Sequence, residues 1–345
     1  MASSLQPLIL LSWLLAQPAT PQGLPAGAPA RLGEPQTRQE PSELSVAFSP
    51  NGRLLGWVTT ERGQTRNNVS IHLWDLAAGK ARRGCNFAAD TAQATTPLVF
   101  SPDGQADALG TYHEEGGPAK ITRNGVARVH VWNVRTAREK GAFPALQGGQ
   151  GSEFRALAFS ADGTTLSTVR DAAVQVWDVA TGRQLRQFPI AVADEGGGIS
   201  FEVLSADGKL FAGCVGNNPI HIWDVGTGTQ LRRIRGGGSP AAFSSDGKLL
   251  AAVADRIYLW DVATGRQYRW LSGTAQTLAF SPDGKFLAWA CTDGKVHVVE
   301  IATGNERHTF RASCAALAFS PDGRTLASAC PDGTVLLWDV GPAGK

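Results

Sequence analysis

Short apolar runs separated by tight polar turns organise most of the chain, most clearly between Cys314 and Val340. Cys314 to Phe319 (CAALAF) reads as a short apolar strand, Ser-Pro-Asp-Gly supplies a turn, and Arg324 to Ala329 reads as a second strand. A Pro-Asp-Gly turn then leads into a third strand that ends at Trp338. Proline presets φ for the second turn position, aspartate bonds back to its own backbone, and glycine takes the positive φ. In earlier parts of the chain a fourth strand follows an Ala-Thr-Gly connection, at Thr181, Thr264 and Thr303. The predicted unit is four antiparallel strands.

That unit recurs. The turn motif begins at Ser49, Ser101, Ser160, Ser205, Ser244, Ser281 and Ser320, seven times. A β-rich run ends seven times as well, at Asp75, Asn133, Asp178, Asp224, Asp261, Glu300 and Asp339. The last four ends are spaced 37, 39 and 39 residues apart and the earlier ones 58, 45 and 46, so the insertions sit in the first half. Ala47, Ala158, Ala242, Ala279 and Ala318 precede the Phe of their first strands, which suits strands crowded together near an axis.

Five Trp-Asp pairs and seven turns in register, over about residues 43 to 340, resemble the WD-repeat β-propeller family. The resemblance implies an all-β, seven-bladed ring of four-stranded blades. No repeat carries the family's Gly-His element, repeat two has Asn133 for the aspartate, and repeat six has Val299-Glu300 for Trp-Asp, so the family's buried tetrad of His, Asp, Ser/Thr and Trp is not carried over. The last repeat lacks a fourth strand. The family's interlocking closure implies that the N-terminal segment supplies it, within Ala28 to Gln39, where Pro29 and Pro35 are tolerable on an edge. The expected organisation is a signal peptide over 1–20, a Pro-rich linker over 21–42 that holds the closing strand, and the propeller over 43–345.

Composition adds exclusions. The 345 residues carry a net charge of +2, which gives no global field for nucleic acid, and 43% hydrophobic content with ten Trp allows a substantial core. Five cysteines without a CxxC pair form neither a disulfide framework nor a zinc finger. No window has the roughly 18 consecutive apolar residues of a membrane span. Leu5 to Ala16 is an apolar run of signal-peptide length followed by small and proline-rich residues, and no cysteine follows it for lipid anchoring. Export to a periplasm or the outside is expected if that run is cleaved, and a cytoplasmic location otherwise.

Candidate chemistry is sparse. His72, His130, His221 and His297 share one slot in four repeats, but spokes of a ring cannot meet at one metal, and Gln175, Tyr258 and Leu336 fill the slot elsewhere, so no metal is assigned. Cys314 and Cys330 form the one pair placed to bond. Basic residues recur in the fourth strands, where they guard an exposed edge or meet an anionic partner. Insertions occupy Thr59 to Asn68, Tyr112 to Asn124, Pro144 to Glu153 and Pro189 to Gly198. Loops on a rigid scaffold are common recognition sites, which makes Arg62, Arg66, His113, Glu114, Glu115, Lys120 and Arg123 the candidate partner contacts. There is no GxSxG, HExxH, Walker loop or GxGxxG opening a helix, and no catalytic or cofactor residue is assigned. The expected function is a monomeric, non-catalytic scaffold for a protein or peptide. The alternative is a receptor for a small ligand at the channel mouth, or a hydrolase of lactonase type.

Overall fold

The computed structural model describes residues 28, 30–33, 45–61, 67–89, 98–104, 106–114, 125–136, 138–143, 146–148, 156–170, 173–190, 199–215 and 219–341. Every regular element among them is a strand. Repeats one, three, four, five and six each form a four-stranded antiparallel sheet in chain order. Repeat six, for example, pairs Thr277–Phe280, Phe286–Ala290, Lys295–Glu300 and Glu306–Arg311 in succession. A sixth such sheet combines Ala316–Phe319, Thr325–Ala329 and Val335–Asp339 with the N-terminal strand Ala30–Leu32. Its register sets Ala30 opposite Leu337 and Leu32 opposite Val335, so the closing strand lies inside the expected segment.

Repeat two departs from this plan. Its strands Val99–Phe100, Ala106–Glu114 and Gly125–Asn133 pair in order, but two outer pieces, Arg138–Ala142 and Leu146–Gly148, share the third strand between them. The expected insertion from Pro144 to Glu153 therefore contains a strand belonging to repeat two.

Neighbouring sheets meet face to face through a recurring contact. The outer strand of one sheet contributes an apolar residue that packs beside the tryptophan of the next: Phe188 with Trp223, Ile234 with Trp260, and Phe310 with Trp338. Phe310 and Trp338 stack at 4.5 Å between ring centroids. Leu32 does the same service across the closure, buried with Trp57 and Leu55 of repeat one. The first strands run side by side from repeat to repeat, and that of repeat seven lies beside that of repeat one. The six four-stranded sheets are blades of a β-propeller.

The outer strands are not regular. In repeats three to six the pairing of third and fourth strands slips by one residue beside the Trp position, between Val176 and Trp177, Ile222 and Trp223, Leu259 and Trp260, and Val298 and Val299. The residues skipped are Leu185, Leu231, Tyr268 and Arg307. A bulged residue is unpaired and turned out of the ladder, which explains why Leu185, Leu231 and Tyr268 are 46%, 40% and 54% exposed.

Candidate functional site

The recurring turns are built by serine as much as by aspartate. In repeat five the Ser244 hydroxyl donates to Asp246 Oδ1 at 2.7 Å and accepts the Leu249 N–H at 2.9 Å. Asp246 also accepts the Lys248 N–H at 3.1 Å, while Gly247, at φ 69°, donates to the Ser244 carbonyl at 2.9 Å. The same bonds recur around Ser205, Ser281 and Ser320, all buried, which is why the first turn position is Ser in every repeat. Such a network holds a hairpin rigid. In repeat three the Ser160 hydroxyl, followed by the Thr164 N–H and hydroxyl, pulls the Asp162 carboxyl down to about 2.

The residue after the tryptophan serves a second turn. Asp178, Asp224 and Asp261 each accept the backbone N–H and the hydroxyl of a threonine three residues on, with N···O distances of 2.7 Å. Asn133 accepts from Thr136 in the same way, and Glu300 accepts the Thr303 hydroxyl at 2.6 Å. Both departures from aspartate therefore keep the turn. Of the family tetrad, a fragment survives in two sheets: the indole N–H of Trp177 donates to Thr168 Oγ1 at 3.1 Å, and that of Trp338 to Ser328 Oγ at 2.8 Å.

The histidine slot is an aromatic shelf. His72 stacks on Trp57, His130 on Trp132, His221 on Trp223 and His297 on Trp289, with ring centroids 4.9 to 5.5 Å apart. Nδ1 of His130, His221 and His297 meets Glu139, Gln230 and Glu306 on the adjacent outer strand. These are packing and hydrogen-bonding roles, in keeping with an amphipathic strand residue.

One place is chemically richer. A groove of about 890 Å³ runs between the outer strand Gln267–Leu271 of repeat five and the sheet of repeat six. Tyr268 and Trp270 form one wall, and Trp289, Cys291, His297 and Glu306 line the other. Trp270 is 46% exposed, and the Arg256 guanidinium sits 4.3 Å from its ring centroid. Among the described residues, the large exposed aromatics are Tyr268 and Trp270 of this strand. Trp270 faces Tyr258, whereas the corresponding outer positions opposite Gln175, His221 and His297 are Gln187, Arg233 and Thr309. At the far wall, burial first and the charge of Asp293 second push the Cys291 thiol up, and the thiol donates to the Thr274 carbonyl at 3.0 Å. It is no activated nucleophile.

The residues expected to bind a partner fare unevenly. Arg62, Arg66, Glu115, Lys120 and Arg123 lie outside the described residues, as does the apolar run Leu5 to Ala16. His113 and Glu114 end the strand Ala106–Glu114, opposite Val126 and Gly125. The two longest insertions are thus partly strand: Thr59 to Glu61 and Asn67 to Asn68 extend one hairpin, and Thr59 and Thr60 are buried rather than exposed. Cys314 and Cys330 are buried free thiols, so the one pair considered for a disulfide is unbonded.

The arginines of two outer strands also have a use that composition hides. Arg232 donates to the Ala263 carbonyl and Arg269 to those of Ala302 and Thr303, each in the turn of the following repeat. They tie successive blades together. Among the described first strands the one charged residue is Glu202.

Comparison with known proteins agrees with this architecture. The family described as WD domain, G-beta repeat matches residues 145–178 and 304–339. The family described as Anaphase-promoting complex subunit 4 WD40 domain matches residues 241–315. No curated protein matches the chain. Together with the repeats and blades, the two family matches support a WD-repeat β-propeller, a fold commonly used as a protein-interaction scaffold. No helix of the described residues is long and apolar enough to cross a membrane.

Proposed function

We propose that the protein is a monomeric, seven-bladed, non-catalytic scaffold that binds a protein or peptide partner, with the groove beside Trp270 as its main contact. Repeat two supports the count of seven: its two outer pieces follow each other along one third strand, and its first strand lies between those of repeats one and three. The observation that carries the binding reading is the pair Tyr268 and Trp270, 54% and 46% exposed on one edge strand beside the groove. Tryptophan, tyrosine and arginine are the side chains that most often anchor interfaces, and Arg256 already lies against Trp270. An edge strand also offers main-chain groups for an extended peptide. The insertions that carry Arg62, Arg66, His113, Glu114, Glu115, Lys120 and Arg123 would add orientation through mixed charge.

The test is a cross-linking pull-down from extracts of the source cells with three baits: wild type, a Tyr268→Ser/Trp270→Ser variant, and a variant with both long hairpins cut to Asp-Gly turns. Loss of one partner set from the first variant, with unchanged circular dichroism, is expected. Equal capture by wild type and that variant removes the groove, and equal capture by all three removes the scaffold reading on these surfaces.

The apolar run Leu5 to Ala16 supports export with removal of the first 16 to 22 residues. N-terminal sequencing of the native protein should begin beyond Ala16, and recovery of Met1 or Ala2 would overturn this.

A further inference from the structure

The hairpin between the second and third strands of repeat six reads Cys291-Thr-Asp-Gly-Lys-Val-His297. It brings three different donor types together at one end of the groove: a sulfur of Cys291, a carboxylate oxygen of Asp293 and an imidazole nitrogen of His297 all lie within 4.8 Å of one another. Tetrahedral zinc with Zn–S near 2.3 Å and Zn–N near 2.05 Å needs donors about 3.5 Å apart. Asp293 is exposed and Cys291 half-buried, so both side chains have room to rotate toward that spacing. No other described cluster of His, Cys, Asp and Glu reaches this spacing.

The second layer fits as well. Glu306 hydrogen-bonds His297 Nδ1. A carboxylate oxygen accepts, so Nδ1 carries the proton in this pair. Nε2 is the nitrogen left for a metal. Metal-binding histidines characteristically donate their other N–H to a carboxylate, which fixes the ring and strengthens the donor. Sulfur, nitrogen and one carboxylate select a borderline-soft divalent ion over magnesium or calcium.

We propose that Cys291, Asp293 and His297 bind a zinc-class divalent metal ion, with Glu306 as the carboxylate that orients His297 and a fourth position open to the groove. The thiol proton, now shared with the Thr274 carbonyl, leaves to solvent when sulfur binds the ion. Lys295 is the resident competitor: its ammonium sits 3.1 Å from Asp293 Oδ2 and must swing out, which a 44% exposed side chain can do. The site does not depend on the partner reading above, because its test uses the metal alone.

Untagged full-length protein is titrated with Co²⁺ and then Zn²⁺. One Co²⁺ per chain should bind with a near-ultraviolet thiolate-to-cobalt absorption that Zn²⁺ removes. Cys291→Ser should abolish that band, His297→Ala should weaken binding at least tenfold, and Glu306→Gln should weaken it about tenfold. Lys295→Gln should tighten binding, a gain that an unfolded variant could not show, and Cys330→Ser should change nothing. No thiolate band in wild type, or a band that survives Cys291→Ser, overturns the proposal. So does a band lost in Cys291→Ser but indifferent to His297→Ala and Lys295→Gln, since that describes a lone thiol.

Discussion

Repeats six and seven share a backbone and solve the same packing problem with opposite arrangements. In repeat seven, Trp338 on the third strand is fully buried, donates its indole N–H to Ser328 on the second strand, and has Leu336 two residues before it. Position for position, repeat six has Val299 for the tryptophan, Trp289 for the serine and His297 for the leucine, because Leu287 pairs with Val299 as Leu326 pairs with Trp338. The indole has moved one strand over. Both tryptophans are buried, and Val299 is buried too, so the slot is filled from either side. What changes is polarity: Trp289 in the new place forms a shelf for a histidine, and the hairpin beyond it gains Cys291 and Asp293 as neighbours of that histidine. Repeat seven keeps Cys330 and Asp332 at the matching places but has Leu336, and so has packing where repeat six has donors.

The largest effects of this exchange lie with the indoles wherever they sit. Trp338→Ala and Trp289→Ala should each cost about 3 to 5 kcal/mol, as buried large-to-small changes do. Val299→Ala removes two carbon groups and should cost about 2 kcal/mol. Urea denaturation followed by circular dichroism measures all three. The sharper version is the double change: Val299→Trp alone overpacks the slot, Trp289→Ser alone empties it, and together they should be milder than their sum by about 1 to 3 kcal/mol. Additive costs would mean that the two positions do not share one volume.

The same pair of repeats shows what a sequence discloses. Turns are local, so Ser-Pro-Asp-Gly at Ser281 and at Ser320 gave the hairpins, their period and hence the blades. Ring closure was legible within about ten residues, since a seventh unit missing its edge strand had to find one, and Ala30 to Leu32 supplies it. The moved indole was not legible: Val299-Glu300 looks like a lost motif until the register sets Trp289 opposite His297. Nor were the blade-to-blade arginine bonds, because Arg232 and Arg269 reach carbonyls 31 to 34 residues onward. The four histidines share a slot but sit in four separate sheets, so comparing them with one another reveals no grouping. The grouping that matters forms inside one hairpin, between His297 and residues four and six positions earlier, and needed the fold of a tight turn to become visible.

Reactivity of the two matching cysteines gives the smallest but most direct contrast. Cys330 is buried, and burial first and Asp332 next push its thiol up to about 11; burial raises Cys314, beside it, to about 12. Thiolate is the reactive form, so at pH 8 about one Cys330 in a thousand is poised to react. Cys291 is also raised, but it is half-buried at the groove rather than sealed between sheets. Native protein treated with iodoacetamide at pH 8, quenched in time and mapped by peptide mass, should therefore lose Cys291 at least tenfold faster than Cys330 or Cys314, a contrast of about 1.4 kcal/mol in barrier. All three rates should rise with pH and become equal in urea. Zn²⁺ should shield Cys291 and leave the other two unchanged, because only repeat six has an imidazole across the hairpin from its thiol. Equal native rates for Cys291 and Cys330 would mean that the two hairpins present their sulfurs alike, and the chemical difference between the repeats would then reduce to the stacked histidine.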